Sequence, residues 1–267
     1  DEFTVILDDF GSVERVTRVI LKKLAEPFQL GDELVYVSAS IGIALYPEDA
    51  SDIDELLKHA DLAMYFAKDQ GRNCFSYFTR SMQEAAQIRM RLTKDIRTAL
   101  ADNQFRIYYQ PIIELASGSM QKSEALIRWQ HPTRGLIPPA EFIPIAEDTG
   151  LIIDIGEWVF HKVARKLAQW RASYHSDFQV SINKSPVQFH NNKDNSHETW
   201  FKYLQKLGLP AQSIVVEITE RLLLEINDDV SEQLLEFRNA GIQVSLDDFG
   251  TGYSSLSYLN KFDIDYL

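Results

Sequence analysis

Cysteine is almost missing from this sequence: Cys74 is the single one among 267 residues. One thiol excludes a disulfide framework and any zinc site built on several thiolates. It fits a reducing compartment, so a cytoplasmic location is expected. Basic residues are scarce as well, with 27 Lys and Arg against 39 Asp and Glu, for a formal net charge of −12. Nucleic-acid binders carry the opposite balance, which argues against such a partner. An anionic ligand still fits, provided a metal ion or a well-placed Arg supplies positive charge locally. A long apolar run is also lacking. The longest charge-free stretch, residues 34–47, is too short for a bilayer and is broken by Ser, Gly and Pro. No Gly-x-Gly-x-x-Gly follows a predicted strand, which weakens a dinucleotide-binding reading.

What is present suffices for a packed core, since 45% of the residues are hydrophobic and 25% are charged. The length suggests one or two domains. Asp1 is not a Met, and Leu267 lies in an alternating apolar run with Phe262, Ile264 and Tyr266, so the chain is expected to be a piece of something longer.

Residues 3–7 read as a strand, and 12–25 as a helix ended by Pro27. Residues 34–46 read as two extended segments. A helix over 52–69 is expected to take Ser51 as its cap and Gly71 as its stop, before a short strand at 73–78. Residues 81–100 form a long helix without Gly or Pro, read as an amphipathic connector.

From about residue 104 the rhythm changes. Strands are expected at 105–113, 123–129, 179–183, 214–218, 243–247 and 263–267, and helices at 141–148, 154–172, 197–207 and 227–240. This alternation implies a parallel sheet with helical crossovers, either a (β/α) barrel or a doubly wound sheet.

In a (β/α) barrel the chemistry sits where strands end. Side chains alternate along a strand, so Glu124, Leu126 and Arg128 share one face while Ser123, Ala125, Ile127 and Trp129 share the other. The apolar face can pack on helices, which leaves an acid and a base inside. The next strands bring Asn183, with Ser181 on its face, then Glu217, then the pair Asp247 and Asp248. Oxygen ligands of this kind suit Mg²⁺ or Mn²⁺. The adjacent aspartates invite a second ion, and Arg128 can hold a phosphate oxygen. Any one of these acids alone would more often cap a helix or sit in an ion pair. Four oxygen-bearing residues at matching strand ends fit that reading poorly, because unpaired buried carboxylates are costly. The run from Asp248 to Leu256 holds two glycines in three residues, Gly250 and Gly252, and suits a mobile or metal-ordering loop.

On these residues the chain resembles the EAL family of cyclic-di-GMP phosphodiesterases. The resemblance rests on Gln110-Pro111, Glu124-Ala125-Leu126 within SEALIRW, His131-Pro132, PAEFIPIAE, SINKSPVQF, EITE and DDFGTGYSSL, in that order. Residues 1–80 resemble the second half of a GGDEF diguanylate cyclase, through VSASIGIALYPEDA, ADLAMYFAKDQGRN and FSYF. The implied fold is α/β: an incomplete (β/α) barrel of the EAL type, with an antiparallel first strand and about six of the eight strands, preceded by a partial α+β GGDEF domain. The implied division is a partial GGDEF domain over 1–80, a helical linker over 81–95 and a partial EAL domain over 96–267.

The resemblance assigns Glu124, Asn183, Glu217, Asp247 and Asp248 to metal binding. It assigns Glu124, Asp247, Asp248 and Glu220 to catalysis, with Glu220 anchoring the loop at 249–256. Gln110, Leu126 and Arg128 face the substrate. It implies cleavage of cyclic-di-GMP to pGpG with Mg²⁺ or Mn²⁺, and it allows an EAL-mediated homodimer. It further implies that a later Lys, Asp and Glu lie beyond Leu267, so the chain by itself is expected to be inactive. The alternative is a module that binds cyclic-di-GMP as a sensor without cutting it.

Overall fold

The computed structural model describes residues 2–189, 196–220, 222, 228–247, 250 and 264–266. It divides into two compact units, Asp1–Arg91 and Leu92–Leu267.

In the first unit a 3₁₀ turn at Phe10–Ser12 leads into α1, Val13–Leu24. Two short strands, β1 (Phe28–Leu30) and β2 (Glu33–Val35), form an antiparallel hairpin. Strand β3 (Ile41–Ile43) pairs in parallel with β4 (Phe75–Tyr77), and α2 (Ile53–Asp69) makes the crossover between them. The buried core here is small: Ala63, Phe78 and Met82, with Ala44, Leu62 and Phe66 around it.

Two expectations are corrected in this unit. Residues 3–7 form no strand, and Phe3 and Ile6 are 91% and 84% exposed. Apolar alternation makes a strand only where a partner takes up the backbone hydrogen bonds, and among the described residues none lies beside them. The cap of α2 is Asp52, whose carboxylate accepts from the Glu55 amide at 2.8 Å. Ser51 turns its own amide and hydroxyl to the Glu55 carboxylate, at 2.9 and 3.1 Å. The expected cap residue is therefore displaced by one position, and the Glu55 carboxylate takes the amide of the residue before the cap in place of the cap's own, a variant of the capping box.

The second unit begins within α3 (Arg80–Ala99), whose Leu92, Ile96 and Ala99 belong to its core. Strand β5 (Phe105–Ile113) runs antiparallel to β6 (Met120–His131). The far end of β6 also pairs with β7 (Gly135–Ile137), a strand too short to show in the sequence pattern. Strands β8 (Gln179–Asn183), β9 (Ile214–Thr219) and β10 (Gln243–Asp247) follow in parallel, in the order β10-β9-β8-β6-β5. Helices α4 (Pro139–Asp148), α5 (Ile152–Ser173), α6 (Pro186–Phe189), α7 (Ser196–Lys206) and α8 (Asp228–Ala240) connect the parallel strands. Of the strand expected at 263–267, the described residues show a single parallel bridge from Tyr266 to Ser245.

This is the α/β sheet with an antiparallel first strand that the sequence implies. Its helix-facing side is dry. Ala125 and Trp129 of β6 are buried there, and Trp129 packs on Phe105 and Phe142 while its indole N–H donates to Gln104 at 2.8 Å. The alternation of β6 then turns Lys122, Glu124, Leu126 and Arg128 to the other face.

Candidate functional site

The parallel register places the proposed ligands stepwise across four neighbouring strands. Glu124 lies opposite Ser181, and Asn183, two residues on, lies opposite Glu217. Glu217 in turn lies opposite Ser245, two residues before Asp247. Asn183 and Asp247 end their strands and are exposed, whereas Glu124 and Glu217 are half-buried. The group therefore sits at the C-terminal mouth of the sheet and deepens toward Glu217, at the position where barrel enzymes keep their chemistry.

The Asn183 amide donates to Glu124 Oε1 at 2.9 Å, which ties β8 to β6 at this level. The Glu217 carboxyl is pushed up to about 7. Burial is the largest cause, and the carboxylates of Glu124 and Asp247 add repulsion. The Ser181 hydroxyl and Lys122 pull in the opposite direction. Ser181 is fully buried, and its hydroxyl is near Glu217 without being aligned for a full hydrogen bond.

Among the described residues, no group of three or more Asp, Glu, His or Cys side chains is gathered tightly enough to hold a metal ion. The donor chemistry still suits a hard divalent cation. It is all oxygen, and the like-charge repulsion that raises Glu217 is what a bound cation would relieve.

On the antiparallel pair, Gln110 lies opposite Glu124 and Tyr108 opposite Leu126. The Arg128 guanidinium rests 5.7 Å from the centre of the Tyr108 ring and donates to the Ile127 carbonyl at 2.8 Å. Gln110, Leu126 and Arg128 thus share a face with Glu124. Glu220 is buried just past β9 and accepts the Gly250 amide at 3.0 Å. Gly250 has a φ of 91°, a backbone conformation that favours glycine. Asp248 and the rest of the 249–256 loop lie outside the described residues.

Residues 93–267 match the EAL domain family, and residues 1–74 match the diguanylate cyclase GGDEF domain family. The chain belongs to the EAL domain family. Over 269 residues it is 43% identical to the cyclic di-GMP phosphodiesterase PdeR of Escherichia coli, covering 99% of this chain and 40% of PdeR. Over 265 residues it is 40% identical to the bifunctional diguanylate cyclase/cyclic di-GMP phosphodiesterase MucR of Pseudomonas aeruginosa, covering 98% of this chain and 38% of MucR. The chain thus spans about two-fifths of the length of these relatives. Its fold is similar to a solved MucR phosphodiesterase in complex with c-di-GMP, with a TM-score of 0.61 and 37% identity, over 65% of this chain and 70% of that one. No helix among the described residues is long and apolar enough to cross a membrane.

The candidate site also contains residues that sequence reasoning passed over. Lys122 and Tyr108 stand on the same face as Glu124, and Ser245 lies directly across from Glu217. Lys122 had a signal, because it precedes Glu124 by two residues and must share its face. Tyr108 and Ser245 could not be placed before the strand registers were known.

The raised Glu217 carboxyl predicts a pH signature in metal-free protein. A carboxyl whose folded value exceeds its unfolded value favours the fold while protonated. That contribution is full below the unfolded value and is lost as the pH rises toward about 7. Glu217→Gln keeps the neutral form at every pH. The variant should therefore melt above the parent at pH 8 in EDTA, with the difference shrinking toward pH 5. Thermal melts across this range check the sign, and a variant that melts below the parent at pH 8 contradicts it.

Proposed function

We propose that the protein carrying this chain hydrolyses cyclic-di-GMP to linear pGpG in the cytoplasm, with Mg²⁺ or Mn²⁺ as cofactor. The observation that carries this reading is the stepwise placement of Glu124, Asn183, Glu217 and Asp247 at the mouth of four adjacent strands. The similarity to cyclic di-GMP phosphodiesterases supports the substrate.

In this reading Glu124, Asn183, Glu217 and Asp247 hold the cation, and Asp248 helps to hold a second. Bound there, the cations supply charge neutralisation of the phosphodiester and activation of a water. The protein's own groups bind and orient the substrate. Arg128 offers a fork of donors to a phosphate oxygen, and Tyr108, stacked against its guanidinium, restricts where that fork points. Gln110 and Leu126 line the same face. Glu220 fixes the start of the 249–256 loop through the Gly250 amide. Hydrolysis adds a water oxygen to phosphorus, breaks one phosphoester bond of the ring and delivers a proton to the departing sugar oxygen.

The test is to incubate the protein with cyclic-di-GMP and either cation and to follow the linear dinucleotide by chromatography. Metal-dependent formation of pGpG supports the proposal. Tight binding of cyclic-di-GMP without turnover assigns the protein to the sensor class, and absence of both removes the reading.

A further inference from the structure

Lys122 stands two residues before Glu124, on the same face of β6, one step deeper into the sheet. It is half-buried, and its ammonium lies 3.8 Å from the centre of the Tyr266 ring. That seat is fixed by β10. The Leu246 amide donates to the Tyr266 carbonyl at 3.0 Å, and the Tyr266 hydroxyl donates to Gln243 at 3.2 Å. Gln243 is itself held by the Gln179 amide at 2.8 Å. Next to Tyr266, Asp265 is pinned where its carboxylate accepts the Val244 amide at 2.9 Å. Burial pulls the Lys122 ammonium below its ordinary lysine value, while the Tyr266 face and the carboxylates of Glu217 and Asp265 favour its charge and offset part of that cost.

A positive charge built in beside Glu217 acts on anything cationic that the site takes up. We propose that Lys122 is a resident cation that sets the site's affinity for divalent metal, weakening the binding that its oxygen donors would give alone. This rests on the reading of Glu124, Asn183, Glu217 and Asp247 as metal ligands. The charge acts from a half-buried position on the face that carries Glu124, where screening by water and salt is weaker than at the open surface. A Lys that served only as packing against Tyr266 would have the opposite consequence: its loss would loosen the donors and weaken the metal.

The experiment measures Mn²⁺ binding by the electron paramagnetic resonance of unbound Mn²⁺ at pH 8.5, with no substrate and no turnover involved. Lys122→Met is expected to tighten Kd about tenfold or more, because the charge goes while the apolar stem stays. Lys122→Arg keeps the charge and is expected to remain within about threefold of the parent. Circular dichroism checks the fold of each variant. If Lys122→Met does not fold, Lys122→Gln removes the same charge with a polar head. Binding by the parent that the neutral variant leaves unchanged or weakened overturns this inference alone. A parent that binds no Mn²⁺ overturns the metal reading itself, and this inference with it.

Discussion

On the proposed function, Asp247→Asn and Glu124→Gln in the protein carrying this chain should each lower kcat/KM for cyclic-di-GMP hydrolysis about a thousandfold, a loss of about 4 kcal/mol of transition-state stabilisation. Both substitutions replace a charged oxygen donor with a neutral one of the same shape. The fold should tolerate this well. The carbonyl of the carboxamide introduced by E124Q can still accept the Asn183 amide that Glu124 accepts at 2.9 Å. Asp247 is exposed at the end of β10, where a change of charge is tolerated better than in the core. Removing one negative charge even eases the repulsion on Glu217. A large loss of turnover with an unchanged melting temperature would therefore report lost cation binding. Higher Mg²⁺ should recover part of the activity. A fall of less than about tenfold in both variants would place the chemistry elsewhere.

The parallel strands were legible because a buried strand needs little context. VVEI within β9 is rich in β-branched residues and QVSL within β10 alternates polar with apolar, and such runs bounded by turns read as strands. The facing of Glu124 was legible for a similar reason, since alternation along one strand is set by the backbone alone. Residues 3–7 show the limit of that logic. Their pattern is as good as that of β9, but a strand is a relation between two chains of hydrogen bonds, and the partner cannot be read from one of them.

The site divides along the same line. Which residues carry the oxygens was visible; how far apart they stand was not. That Asn183 meets Glu124, and that Ser245 faces Glu217, depends on the registers of β6, β8, β9 and β10, which relate positions up to 59 residues apart. The raised Glu217 carboxyl depends further on burial, a property of the packed sheet. Lys122 was overlooked although its face was computable, because its meaning comes from Tyr266 and Asp265 at the other end of the chain.

In the first unit the largest expected effect comes from a single added methyl group. Gly42 sits in the middle of β3, directly under α2. A Cβ placed there would lie 1.9 Å from the Ala60 carbonyl oxygen, 2.2 Å from the Met64 amide nitrogen and 2.9 Å from the Ala63 carbonyl carbon. All three are backbone atoms of a hydrogen-bonded helix, so no side-chain rotation can make room. The helix has to lift off the strand, and lifting it separates Ala63 from Phe78 and Met82 in a core with little to spare. Gly42→Ala is therefore expected to cost about 3 kcal/mol or more, the upper end of overpacking. Gly11→Ala is the control, since its added Cβ would meet only the Asp9 carboxylate at 3.4 Å, and it should stay within about 0.5 kcal/mol of the parent. Hydrogen exchange locates the damage. In Gly42→Ala the Ile41 amide, bonded to Cys74, and the Phe78 amide, bonded to Ile43, should lose protection. The amides of β8 and β9 in the second unit should keep theirs. If Gly42→Ala retains protection at Ile41 and Phe78, α2 does not pack on β3 as closely as this structure places it.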